Sequence, residues 1–99
     1  MKKNVKKIKL NQDVKDLFNA FSKIDTPKER EIFFHDLLSP EEMKDIARRW
    51  KVARMLSSGT SFTEIEEKTG MSSTTIARIS KWMRDGYGGY QTMIDKEKK

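Results

Sequence analysis

The chain has 99 residues, no cysteine, a single histidine and a net charge of +6; 35% of its residues are hydrophobic and 36% are charged. That length suits one domain with a modest core, and the lack of cysteine excludes both a disulfide framework and a zinc site with thiolate ligands. No apolar run approaches membrane-spanning length, and the N-terminal lysines have no apolar stretch behind them, so an intracellular protein without a secretory signal is expected.

Residues 1–10, MKKNVKKIKL, read as a mobile basic arm with five lysines and no acid. Two uses fit such an arm: drifting along a nucleic-acid backbone, or solubilising the chain. Charge is then unevenly spread. Residues 10–47 carry nine acids against five bases, whereas residues 48–84 carry eight bases against three acids. A protein that docks one end against phosphate shows this polarity.

Residues 11–58 read as a helical core of three helices. Asn11 caps a helix reaching Ile24, with Val14, Leu17, Phe18, Phe21 and Ile24 at three- and four-residue steps. Thr26, Pro27 and Glu29 supply a cap, a first-turn proline and a reciprocal acid for a second helix, which ends near Leu38 with Ile32, Phe33, Phe34 and Leu37 inward. His35 reads as a surface or satisfied core histidine. Ser39, Pro40, Glu41 and Glu42 repeat the same start for a long third helix that stops at Gly59. Its stripe is Met43, Ile46, Ala47, Trp50, Ala53 and Leu56, widened by Val52 and Met55, and Trp50 reads as a core anchor.

Residues 59–85 read as a helix-turn-helix. Ser61 and Glu64 form a capping-box pattern, Gly70 falls where the chain reverses, and Ser72 is the cap of the second helix with Thr75 three residues on. Ile65, Met71, Ile76 and Ile79 stand where two short, steeply crossed helices clamp each other. In a DNA-reading bihelix the N-terminal residues of the second helix meet base edges. Here those are Ser73, Thr74 and Thr75, then Arg78, with the cap Ser72 also counted among the DNA-binding residues; hydroxyls can donate or accept, and threonine methyls can touch thymine. Glu64, Glu66 and Glu67 make the first helix acidic, so phosphate contact falls to Thr63, Lys68, Arg78, Lys81, Arg49 and Arg54. Trp82 is expected to pack at the end of the second helix. Residues 86–99 open with three glycines in four positions; one further helical turn over Gln91–Ile94 and a charged tail are expected beyond them.

Neither a Cys–His or Ser–His–acid set, nor a metal cluster, nor a nucleotide cradle is present in the sequence, so no enzyme and no cofactor is expected. Two other classes stay open. One is a helix-turn-helix that binds double-stranded DNA. The other is a helical protein-interaction module whose bihelix binds another protein, favoured by the acidic first helix.

The segments LFNAF (Leu17–Phe21), FFHDLLSP (Phe33–Pro40) and the whole run Leu38–Tyr90 together resemble the tryptophan repressor superfamily, and in particular its YerC/YecD-type branch. The resemblance implies an all-α fold in which N-terminal helices of two chains interlock into an intertwined homodimer, with two helix-turn-helix heads set on a palindromic site. It implies a cytoplasmic, nucleoid-associated transcriptional regulator, with repression the expected direction. In the tryptophan repressor two arginines flank the bound indole, and the matching positions here are Arg49 and Arg78. The glycine that makes room for the indole is replaced here by Ile79, the loop before the first helix is one residue shorter, and Glu66 stands where that repressor has lysine. A branched side chain at residue 79 fills the pocket. Saturating tryptophan is therefore expected to leave duplex affinity unchanged in a gel-shift titration; a saturable, tryptophan-dependent gain would contradict this.

Overall fold

The computed structural model describes residues 8–98. Of the basic arm, residues 1–7 lie outside the described residues. The described chain is helical throughout: α1 (Gln12–Ser22), α2 (Pro27–Leu37), α3 (Pro40–Ser57), α4 (Phe62–Thr69), α5 (Ser73–Asp85) and α6 (Gly89–Glu97). It divides between Met43 and Lys44 into two compact units, with α3 starting in the first and continuing through the second.

Local chemistry explains the helix starts. Asn11 accepts the Val14 amide at 2.9 Å, and Thr26 accepts that of Glu29 at 3.1 Å. The Glu29 carboxylate reaches one residue further back than expected, taking the Asp25 amide at 2.9 Å instead of that of Thr26. At α3 the box closes fully: the Glu42 amide donates to the Ser39 hydroxyl at 3.1 Å, and the Ser39 amide donates to the Glu42 carboxylate at 2.8 Å. Each such cap satisfies amides that have no partner inside the helix. The end of α3 is a Schellman turn, with the Thr60 amide on the Met55 carbonyl and the Gly59 amide on that of Leu56, both at 3.0 Å.

In the first unit α1 meets α2 through phenylalanine rings. Phe21 stands edge-on to Phe33 at 5.9 Å and to Phe34 at 5.4 Å, an arrangement that suits the ring quadrupoles. Neither helix contains a buried residue. Ile32 (52% exposed) and Leu37, expected inward, face solvent, as does Phe18. Two short helices cover only one strip of each other, and the remainder stays exposed.

The second unit holds the core: Val52 and Ala53 of α3, Ile65 of α4, Ile76 and Ile79 of α5 and Ile94 of α6. The buried stripe of α3 is therefore centred on Val52 and Ala53. Ile46, 48% exposed, and Ala47 lie outside it. The later helices pack on the C-terminal half of α3, and Ile46 stays exposed. The C-terminal segment is also more ordered than one turn. Residues 89–97 form a full helix, and Ile94 is only 5% exposed. Its glycines lie before or at the first turn, where they do not interrupt the helical bonds. Trimming Ile94 to Ala should lower stability by roughly 2–4 kcal/mol, the cost of deleting buried methyl groups. Urea unfolding measures it, and a change within error would remove α6 from the core.

Candidate nucleic-acid interface

The candidate interface is built on α4, the turn at Gly70 and α5. Gly70 closes α4 in the left-handed region (φ 72°), and its amide bonds the Glu66 carbonyl at 2.9 Å. A side chain there would meet no atom but would be strained by that dihedral. Thr69 bridges the turn: its hydroxyl donates to the Ile65 carbonyl at 2.7 Å and accepts from the Met71 amide at 3.2 Å. This residue escaped the reading of the sequence, although a threonine directly before a turn glycine is the available signal.

Past the turn, Ser72 caps α5, its hydroxyl accepting the Thr75 amide at 3.2 Å and donating to the Thr75 hydroxyl at 3.1 Å. Ile76 and Ile79 are fully buried and fix the rotation of the helix. Ser73, Thr74, Ala77, Arg78 and Lys81 are then all exposed. At about 100° per residue these five positions span roughly 140° of arc, so they share one face. Thr75 is half-buried beside that face, with its hydroxyl engaged by the cap. Trp82, expected to pack, is 45% exposed, because it stands at the margin between the two faces of α5.

The cations differ in what surrounds them. Arg78, Lys81 and Arg49 are exposed and take part in no ion pair among the described residues. Lys68 pairs with Glu64 at 2.8 Å. Glu64 thus completes only half of the expected capping box: its amide donates to Ser61 at 3.2 Å, while its carboxylate turns to the lysine. Arg54 pairs with Glu97 of α6 at 3.0 Å, which directs it toward the C-terminal helix. Thr63 is exposed in the first turn of α4. The fold thus gathers Ser72, Ser73, Thr74, Thr75, Arg78 and Lys81 on one helix and leaves Lys68 and Arg54 with carboxylate partners. Ile79, expected at the position of the indole pocket, exposes no surface. Among the described residues no group of His, Cys, Asp or Glu side chains could hold a metal ion, and no helix is long and apolar enough to cross a membrane.

The family model for the Trp repressor protein matches residues 12–98. The uncharacterised protein YerC of Bacillus subtilis is 33% identical over 87 residues, covering 88% of this chain and 84% of that protein. The crystal structure of a TrpR-like protein from Eubacterium eligens superimposes with a TM-score of 0.82 at 31% identity, over 87% of this chain and 89% of the other. A Trp-repressor-type protein from Staphylococcus aureus superimposes with a TM-score of 0.83 at 27% identity, over 90% of this chain and 89% of the other.

The Glu64 carboxylate, first by hydrogen bond and then by charge, holds the Lys68 ammonium above the ordinary lysine value of 10.5. The sign follows: this pair's contribution to stability is fully present below the ordinary value and fades as pH rises through the raised one. Glu64→Gln should return the Lys68 titration, followed by NMR at Nζ, toward 10.5. An unchanged midpoint would contradict the pairing.

Proposed function

The chain belongs to the Trp repressor family, and from that premise we propose that it is a sequence-specific, double-stranded-DNA-binding transcriptional regulator, a repressor acting as a homodimer on a palindromic site. The family is one of regulatory DNA-binding proteins, not enzymes. The observation that carries the proposal is the face of α5: hydroxyls at its N-terminal end and free cations one and two turns on, all exposed, backed by two fully buried isoleucines. From Ser73 to Lys81 that face extends about 12 Å along the axis, comparable to the width of about 12 Å of a major groove.

Ser73, Thr74 and Thr75 read base edges. Ser72 fixes the first turn beside them. Arg78 and Lys81 position the phosphate backbone, with Arg49 and the Thr63 hydroxyl as further contacts. Lys68 contributes less, because Glu64 offsets its charge. The homodimer is supported by the first unit, whose helices bury no residue and expose Phe18, Ile32 and Leu37. Those side chains need a cover, and interlocked helices of a second copy supply one. With Ile79 in the pocket position, DNA binding does not wait for tryptophan. The protein works in the cytoplasm, on the nucleoid.

The exposed carboxylates of α4 favour a second reading, a helical module that binds another protein through the bihelix. Salt titration separates the two, since phosphate binding releases counterions and log K then falls steeply with log salt. Under the DNA reading, Lys81→Ala weakens random and selected duplexes alike and lowers the salt slope by about 1. Thr75→Ala costs about 1–3 kcal/mol on the selected site and little on random duplex. Fluorescence anisotropy measures both. Equal losses on both duplexes for Thr75→Ala would refute its reading role, and a flat salt slope for the unmodified chain would favour the protein-binding module.

A further inference from the structure

We propose that α6 is a strut for the recognition helix α5, and that Arg54 acts as a positioning residue through Glu97 instead of contacting nucleic-acid phosphate. The proposal rests on the DNA-binding reading above.

Three attachments along one stripe of α6 carry it. Tyr90 stacks on Trp50 of α3, with ring centroids 6.4 Å apart and planes at 14°. One turn on, Ile94 enters the core that contains Ile76 and Ile79 of α5. Near the end of the helix, Glu97 Oε1 meets Arg54 Nε at 3.0 Å. Trp50 and Arg54 are themselves one turn apart on α3. So α6 is fastened to α3 at both ends, and at its middle it touches the core beneath the recognition helix. Besides α3, whose Val52 and Ala53 share that core, α4 packs on α5 and is joined to it by a turn of only three residues, Gly70–Ser72. By bridging α3 and the core under α5, α6 helps to hold the angle of α5 against α3.

The chemistry at Arg54 points the same way. A guanidinium that shares its Nε–H with a carboxylate adds little net field toward a polyanion, in contrast to Arg78 and Lys81. Both partners of the pair are about half exposed, 57% and 48%. The latch is therefore a modest one, and releasing it loosens α6 without unfolding the core.

The sign of the Glu97→Gln effect makes this testable. Removing a negative charge from a DNA-binding protein ordinarily strengthens binding. The latch requires the opposite. With the full chain and a random-sequence duplex, anisotropy across a salt series should show Glu97→Gln and Arg54→Gln each weakening binding roughly two- to five-fold, the scale of an exposed ion pair. The double variant should lose no more than either alone, the salt slopes should match the unmodified chain, and the exchanged pair Arg54→Glu with Glu97→Arg should recover affinity. In the DNA-free chain, amide hydrogen exchange over residues 92–98 should quicken in both single variants. Tighter binding by Glu97→Gln, a slope lowered by about 1 in Arg54→Gln, or unchanged exchange would each overturn the proposal. If the unmodified chain binds duplex without salt dependence, the DNA reading fails separately, and the exchange result still decides whether the latch exists.

Discussion

Among the described residues four large side chains lose all contact with water, Val52, Ile65, Ile76 and Ile79, and their burial decides where the rest of the bihelix can point. Each is worth about 2 kcal/mol of apolar transfer, and together they lock the rotation of α4 and α5 about their own axes. A helix whose rotation is fixed on one side has its other side fixed as well. Burying Ile76 and Ile79 therefore presents Ser73, Thr74, Arg78 and Lys81, and the left-handed turn at Gly70 sets where that face begins. The Ser72 cap and the Thr69 bridge secure the same turn from its two sides. In this unit the polar face of α5 is the remainder left when the isoleucines have been covered.

The first unit shows the opposite condition. Its phenylalanines touch one another, yet none of its helical residues is buried. Phe18 and Ile32 of this unit are exposed, as is Ile46 on the early part of α3. Under the proposed homodimer, intertwining of two copies would cover these side chains, and two-fold symmetry would then impose itself on the DNA. The burial of Ile79 fits the proposal that the bihelix is set by the protein's own side chains. In the proposed arrangement α6, stacked on Trp50 and paired to Arg54, would help to hold α5.

Much of this was legible in the residues because local and global signals coincided. Ser39-Pro40-Glu41-Glu42, Gly59 and the Ser61–Gly70–Ser72 series mark helix ends by hydrogen-bond chemistry that is confined to a few neighbours, and α1 to α5 begin and end close to where those signals put them. The spacing of Ile65, Ile76 and Ile79 likewise fixed the inner side of the bihelix. What could not be read was the outcome of competition between distant groups. Ile46 and Val52 are equally good core residues in a helical pattern, and only the position of α4 to α6 along α3 selects Val52. Glu64 satisfies a capping-box pattern, but Lys68 one turn on competes for its carboxylate. The three glycines concealed α6, although Tyr90, Ile94 and Glu97 stand at helical spacing and each has a partner on another helix or in the core. Among the candidate contacts, composition marked Arg54 and Arg78 alike as cations; the pairing with Glu97 distinguishes them.

The most direct test is sequencing of genomic DNA recovered with the protein from cells. Two inverted half-sites whose centres lie about one helical turn, 10–10.5 base pairs, or a multiple of it apart are predicted from paired recognition helices in successive major grooves. Recovery of DNA without any shared sequence, or of a single unrepeated half-site, would contradict a symmetric pair of heads reading bases through the Ser73–Arg78 face.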